Sequence, residues 1–193
     1  ISKNKYNENS VIAEFFTEKH GKVSGLIFGA TSNKIKSFLL KGNHFNIQFN
    51  SKNQNKVGYF KVEIEKIYTP FFLDEKTKLN CLLYSLNLIK ILTVENQANL
   101  NIYNQFFNLY KLLNLNNWIK EYIFWELEII KLVGYDINFN DYISIDDFNN
   151  DKLYFQTFDG SRNIPSFLLN KNNKDVDVEQ LRDGLKIVGD FLN

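Results

Sequence analysis

A change of rhythm at Pro70 is what most restricts the fold of this chain. Before it, apolar residues return at every second position; after it, they return every three or four. The first period belongs to strands half-buried in a sheet, the second to helices that pack by one stripe. Ser10–Thr17 (SVIAEFFT) and Lys22–Ala30 (KVSGLIFGA) are β-branched and aromatic runs. The polar Glu18-Lys19-His20-Gly21 joins them, which predicts a hairpin. Phe45–Phe49 puts Phe45, Ile47 and Phe49 on one face, and Tyr59–Ile67 sets Phe60, Val62 and Ile64 against Lys61, Glu63 and Glu65. The polar run Ser51–Lys56 lies between them as a loop. Gly25 and Gly29 suggest bulges or bends, which a small barrel needs at its corners. Four strands are visible where a closed five-stranded barrel needs one more.

That barrel is of the OB type if the fifth strand exists. The sequence has no methionine, even at position 1, so the expectation is a first strand truncated ahead of Ile1. After Pro70, Asp74–Leu92 opens on two acidic residues, favourable at a helix N-terminus, and is apolar on almost every face beyond Leu79. Leu100–Leu113 carries Ile102, Phe106, Leu109 and Leu113 on one stripe. Trp118–Val133 carries Trp118, Tyr122, Trp125, Ile129 and Leu132, and stops at Gly134 in a C-cap position. Val178–Leu192 places Leu181, Leu185, Val188 and Leu192 together, while residues 135–175 read as mixed and loop-rich. The predicted class is α+β with two domains: an OB barrel over residues 1–69 that binds DNA, and a helical bundle over residues 70–193.

Charge divides along nearly the same boundary. Residues 1–70 hold 11 lysines against 5 glutamates, whereas the whole chain carries a net charge of only +1. A basic half and an acidic half suggest that the first meets a polyanion. Lys19, Lys22, Lys34, Lys36 and Lys41 cluster around the glycine-bearing strands, with Phe28, Phe38, His44 and Phe45 among them. Lysines for phosphates and rings for bases are what sequence-tolerant single-strand binding on a barrel requires. Most of these rings must fill the barrel, leaving one or two for the surface.

Other chemistry is poorly supported. One cysteine and two histidines exclude a disulfide framework and a cysteine-based zinc site. Gly25–Lys34 lacks the Gly-Lys-Ser/Thr ending of a phosphate loop. Cys81 lies in an apolar helix and reads as core. His20 beside Glu18 reads as a solvated turn, and Asp146-Asp147 as a solvated loop. Asp136–Asp147 resembles a calcium loop, but Asp141 stands where the sharp turn needs glycine and Asp147 is short for the last ligand. An Asn/Asp-rich loop is the preferred reading. No stretch is apolar enough to span a bilayer and no signal segment opens the chain, so a cytoplasmic, nucleoid-associated protein is expected.

Phe16-Thr17-Glu18-Lys19-His20-Gly21-Lys22 is similar to the FTE-x-x-G-[KR] signature of the RecO recombination mediators. Gly29-Ala30-Thr31-Ser32 resembles that family's GARS, and Leu40–Asn43 its L-Q-P-G-N. Trp125-Glu126-Leu127 with Leu132–Tyr135, and later Asp183-Gly184-Leu185, resemble its helical motifs. The resemblance implies an OB barrel with a helical domain and a non-enzymatic role in DNA repair through the RecF pathway. It implies binding of single- and double-stranded DNA, annealing of complementary strands, and help in loading RecA onto DNA coated by single-strand-binding protein. It also implies RecR and the acidic C-terminal tail of that coating protein as partners.

The chain departs from the family at several places. Thr31 replaces the Arg of GARS, with Lys34 and Lys36 as compensation. Phe124 stands where an Arg often precedes the aromatic-Glu-Leu, so tail docking would rest on ring burial along Trp118–Val133, at Trp118, Tyr122 and Lys131. The cysteines by which some members hold zinc are absent, and neither metal nor other cofactor is expected. Two alternatives stand beside this reading: a helical protein-interaction scaffold without direct DNA binding, and an enzyme using 136–147 as a divalent-metal site.

Overall fold

The computed structural model describes residues 1–51, 58–135, 137, 139, 143–145, 153–157, 160–173 and 176–192. The chain forms two compact units, Ile1–Lys111 and Leu112–Asn193. The strand-to-helix change at residue 70 therefore falls inside the first unit, because two helices pack with the barrel.

In the first unit, β1 (Ser2–Lys5), β2 (Ser10–Thr17), β3 (Gly21–Phe28), β4 (His44–Asn50) and β5 (Tyr59–Lys66) form one sheet in the order β1-β2-β3-β5-β4. The first three run as an antiparallel meander, β5 lies parallel to β3, and β4 returns antiparallel to β5. A one-turn helix, α1 (Asn33–Lys36), sits between β3 and β4. This is OB topology, a five-stranded Greek-key barrel. The fifth strand, expected ahead of Ile1, is Ser2–Lys5.

Alternation decides what lies inside. Val11, Ala13 and Phe15 of β2 meet Val23 and Ile27 of β3, Phe45 and Ile47 of β4, and Phe60 and Val62 of β5. Phe15 meets Phe45 and Phe60 edge-on, at ring centroid distances of 5.7 and 5.2 Å. Gly25 makes no bulge: it pairs in register with Ala13. A Cβ there would lie 2.6 Å from the Phe60 ring, so the glycine makes room for that ring. The irregularity of the sheet falls between His44 and Phe45.

A 3-10 turn (Thr69–Phe72) leads into α2 (Lys76–Leu92) and then α3 (Leu100–Leu112). Two lysines lock α2 to the barrel in opposite directions. Lys22 of β3 donates its ammonium to the carbonyls of Lys90 and Thr93, at 2.8 and 2.6 Å. These carbonyls close α2, where a cation complements the helix dipole. Lys90 reaches back to Glu14 of β2 at 2.7 Å. Burial alone would raise the Glu14 carboxyl, but hydrogen bonds from Lys90 and Ser2 outweigh it and hold it below its usual range.

The second unit contains α4 (Trp118–Leu132), the short strands β6 (Ile143–Ile145), β7 (Leu153–Thr157) and β8 (Gly160–Asn163), a one-turn α5 (Ser166–Leu169) and α6 (Val178–Phe191). The three strands form a separate antiparallel sheet within a stretch whose sequence reads as loop. Ile123 and Ile130 of α4, Phe167 and Leu168 of α5, and Ile187 and Val188 of α6 share one core. Lys120 is buried and ties α4 to the 171–173 turn, donating to the carbonyls of Lys171 and Asn173 at 2.8 and 2.6 Å.

Candidate functional site

The five lysines singled out in the sequence do not form one surface. Lys19 sits in the β2–β3 turn, at the opposite end of an eight-residue strand from Phe28 and α1, about 25 Å away at 3.4 Å per residue. Around that turn opens a groove of about 1330 Å³ lined by Phe15, Phe45, Phe60, Tyr103 and Phe107. Its charged rim sets Glu18, Glu65 and Glu95 beside Lys19. His44 lies here too, its Nε2 3.2 Å from the Tyr103 hydroxyl and its Nδ1 3.6 Å from Glu65. Burial, then the charges of Glu18 and Glu65, push the Tyr103 hydroxyl up. A rim with three carboxylates is a poor seat for a phosphate chain.

Lys22 is spent on α2, as described above. Phe16, Thr17, Gly21 and Lys22 of the FTE-x-x-G-K stretch serve the fold, while Glu18 and Lys19 stand on the groove rim. Phe16 packs on Phe106 at 5.7 Å. The Thr17 hydroxyl donates to the Gly21 carbonyl and accepts from the His20 N–H, each at 3.1 Å. Gly21 has φ +64°, and a Cβ there would fall 1.8 Å from the Gln97 carbonyl oxygen. This motif presses the 93–97 segment onto the barrel: Asn96 N–H donates to the Lys22 carbonyl at 2.9 Å, and Ser24 to Glu95 at 3.1 Å.

The remaining cations stand on α1, on β1 and in the loop before β4. Lys34 and Lys36 are exposed on α1, whose N-terminus is capped by the Ser32 side chain. Lys41 is positioned by the loop before β4. There Gly42 takes φ +91°, the Lys41 carbonyl accepts from the Thr69 hydroxyl at 2.5 Å, and the Asn43 side chain accepts from the Tyr68 and Thr69 N–H groups at 2.9 and 3.1 Å. Lys3, absent from the sequence-based set, joins them and donates to the Leu39 carbonyl. Burial, and then the charges of Lys41 and Lys36, hold the Lys3 ammonium below its usual value. Lys3 thus lies within electrostatic reach of both Lys36 and Lys41. Lys3 could have been found from the alternation Lys3-Asn4-Lys5, once Ser2–Lys5 is seen as an edge strand.

Of the interleaved rings, Phe45 belongs to the barrel core and Phe38 packs against it at 6.2 Å. Phe28 does not: it is 57% exposed at the end of β3, 5.6 Å from the Tyr59 ring. Phe49, expected on an inner face, is 55% exposed at the barrel mouth.

In α4 the three residues assigned to tail docking are separated. Tyr122 is 3% exposed and stacks on Trp125 at 6.0 Å. Trp118 begins the helix and Lys131 lies near its end, about 20 Å apart at 1.5 Å per residue. They cannot line one pocket. Where the family has Arg, Phe124 takes an ammonium on its face, Lys171 at 4.8 Å from the centroid. Among the described residues no group of three His, Cys, Asp or Glu side chains is placed to hold a metal ion. The calcium-like stretch 136–147 falls largely outside the described residues. No helix among the described residues is long and apolar enough to cross a membrane.

A family model described as "Recombination protein O N terminal" matches residues 1–68, the whole barrel. The chain is similar to the RecO family, by that model over the barrel and by its relatives over its whole length. A DNA repair protein RecO from Rickettsia canadensis (strain McKiel) is 26% identical over all of this chain and 85% of its own length. One from Rickettsia bellii (strain OSU 85-389) is 27% identical with the same coverage. Another, from Rickettsia felis, is 30% identical over 72% of this chain and 58% of its own. This similarity supports a role in DNA repair and recombination and agrees with a barrel followed by helices.

Proposed function

We propose that this chain binds DNA through the surface formed by β1, α1 and the loop before β4, with Lys3, Lys34, Lys36 and Lys41 neutralising phosphates. The crowding of Lys3 with Lys36 and Lys41 carries this reading. Cations held together at an electrostatic cost are relieved by a bound polyanion, and each phosphate neutralised releases a counterion. Phosphate contacts fix register and carry no sequence information, so binding should be sequence-tolerant. Similarity to the family supports the wider role: annealing of complementary strands and assistance to RecA on DNA coated by single-strand-binding protein, together with RecR, without a catalytic step. The tail of the coating protein, if it docks on α4, uses Trp118 or Lys131 singly.

Anisotropy of a labelled single-stranded oligonucleotide, titrated across salt, tests the central claim. Affinity should fall steeply with salt. The double variant Lys34→Ala/Lys36→Ala should bind every sequence more weakly, with the log–log salt slope shallower by about 1.4. Binding that is flat in salt, or absent from the unaltered protein, overturns the proposal.

A further inference from the structure

The outer face of the barrel carries a second feature beside the lysines. Residues 22, 24, 26 and 28 of β3 point outward, opposite the inward Val23, Gly25 and Ile27, because side chains alternate along a strand. Lys22 and Ser24 are covered by the chain around residues 90–96. Beyond that cover, Leu26 pairs with Ile12 of β2 and with Tyr59 of β5. Phe28 lies two residues further on the same face, with its ring against Tyr59. The cover ends where the rings begin. Ile12, Leu26, Phe28 and Tyr59 thus make an apolar, aromatic-ended strip that no segment of the first unit covers at Phe28. Phe28 is braced by a second ring and followed immediately by a lysine-bearing turn. Gly29 ends β3 and leads through Ser32 into α1, so Lys34 and Lys36 follow Phe28 within two turns of chain. Lys61 and Glu63 follow Tyr59 on the same outward face of β5, and both are exposed.

We propose that Phe28, supported by Tyr59, is a base-stacking platform and sets the preference of this chain for single strands over duplex. This rests on the DNA-binding reading and deepens it. Rings flanked by cations suit a partner that is apolar and flat on one side and anionic on the other, which is an unpaired nucleotide. A duplex presents phosphates to the lysines but keeps its base faces stacked, so it gains nothing from Phe28. The lysines therefore supply the affinity that both forms share, and the ring supplies the difference between them.

The test compares the full chain with Phe28→Ala, Phe28→Tyr and, as a remote exposed ring, Phe71→Ala, by anisotropy on a labelled single strand of about 16 nucleotides and on its duplex. Phe28→Ala should weaken single-strand binding about tenfold, leave duplex binding within about twofold, and leave the salt slope unchanged. Phe28→Tyr should bind as the unaltered protein does, and Phe71→Ala should match it. Single-strand binding untouched by Phe28→Ala, or loss on single strand and duplex alike, overturns the platform while leaving the lysine-based reading standing. Absence of binding by the unaltered protein overturns the DNA-binding reading itself.

Discussion

Lys22 shows how one side chain can look like a ligand-binding group and serve the fold instead. Its ammonium makes two short hydrogen bonds to the last carbonyls of α2, and charge-assisted bonds of this kind contribute about 1.5–3 kcal/mol. Lys22→Met keeps the stem and removes the charge. It should destabilise the protein by about 1–2 kcal/mol, a fall in Tm of roughly 3–6 °C, while DNA affinity drops less than in Lys34→Ala/Lys36→Ala. Thermal unfolding and the same anisotropy titration check both halves; a stable variant that has lost DNA binding would restore Lys22 to the interface. Gly25→Ala should also destabilise, by about 1–3 kcal/mol through overpacking against Phe60, as read by the urea midpoint. Charge density along the sequence picks out Lys34, Lys36 and Lys41, which the proposed interface keeps. It also picks out Lys19 and Lys22, because a linear count cannot see that a strand of eight residues separates Lys19 from α1, or that the end of α2 takes the Lys22 ammonium. Phe28 was named but its exposure was not derivable from alternation alone, since that depends on where the 90–96 segment stops.

Elements were legible in proportion to their length. The stripes on α3, α4 and α6 fixed these helices to within a residue or two, because burial of one face is what holds a helix of that length. β1 was missed because Ser2–Lys5 is a polar edge strand that pairs only with β2, and its hydrogen bonds need no apolar pattern. β6 and β8 have three and four residues, too few for a period of two to show. Capping was missed as well. Asp177 accepts from the Gln180 N–H at 2.8 Å while the Gln180 side chain accepts from the Asp177 N–H at 3.1 Å. This reciprocal box satisfies two donors that the first turn of α6 would leave open. Asp177→Ala should cost about 1 kcal/mol, seen as a lower urea midpoint with an unchanged slope; Asp177→Asn should recover most of it.

For the whole molecule, stability against pH is set by the few groups whose protonation differs between folded and unfolded chain. Glu126 of α4 is the clearest. It is 4% exposed, and burial pushes its carboxyl from 4.5 up to about 7, against the hydrogen bond from Tyr122 that pulls it down. The folded chain then holds a proton that the unfolded chain has released between these two values. The contribution of Glu126 to stability must fall as pH rises through that window and flatten above it, by an amount on the order of 3 kcal/mol. Glu14 acts in the opposite sense. Its lowered value gives stability that is present above the unfolded value and lost only in more acid solution, so it does not oppose Glu126 near neutrality. Glu126→Gln keeps the shape and an acceptor for Tyr122 but cannot ionise. Urea unfolding at a series of pH values should show the two proteins nearly equal near pH 5 and the Gln variant more stable near pH 8, the gap opening between them. Parallel curves across that range would mean that water or an unseen partner reaches the carboxylate, and that its burial does not govern its charge.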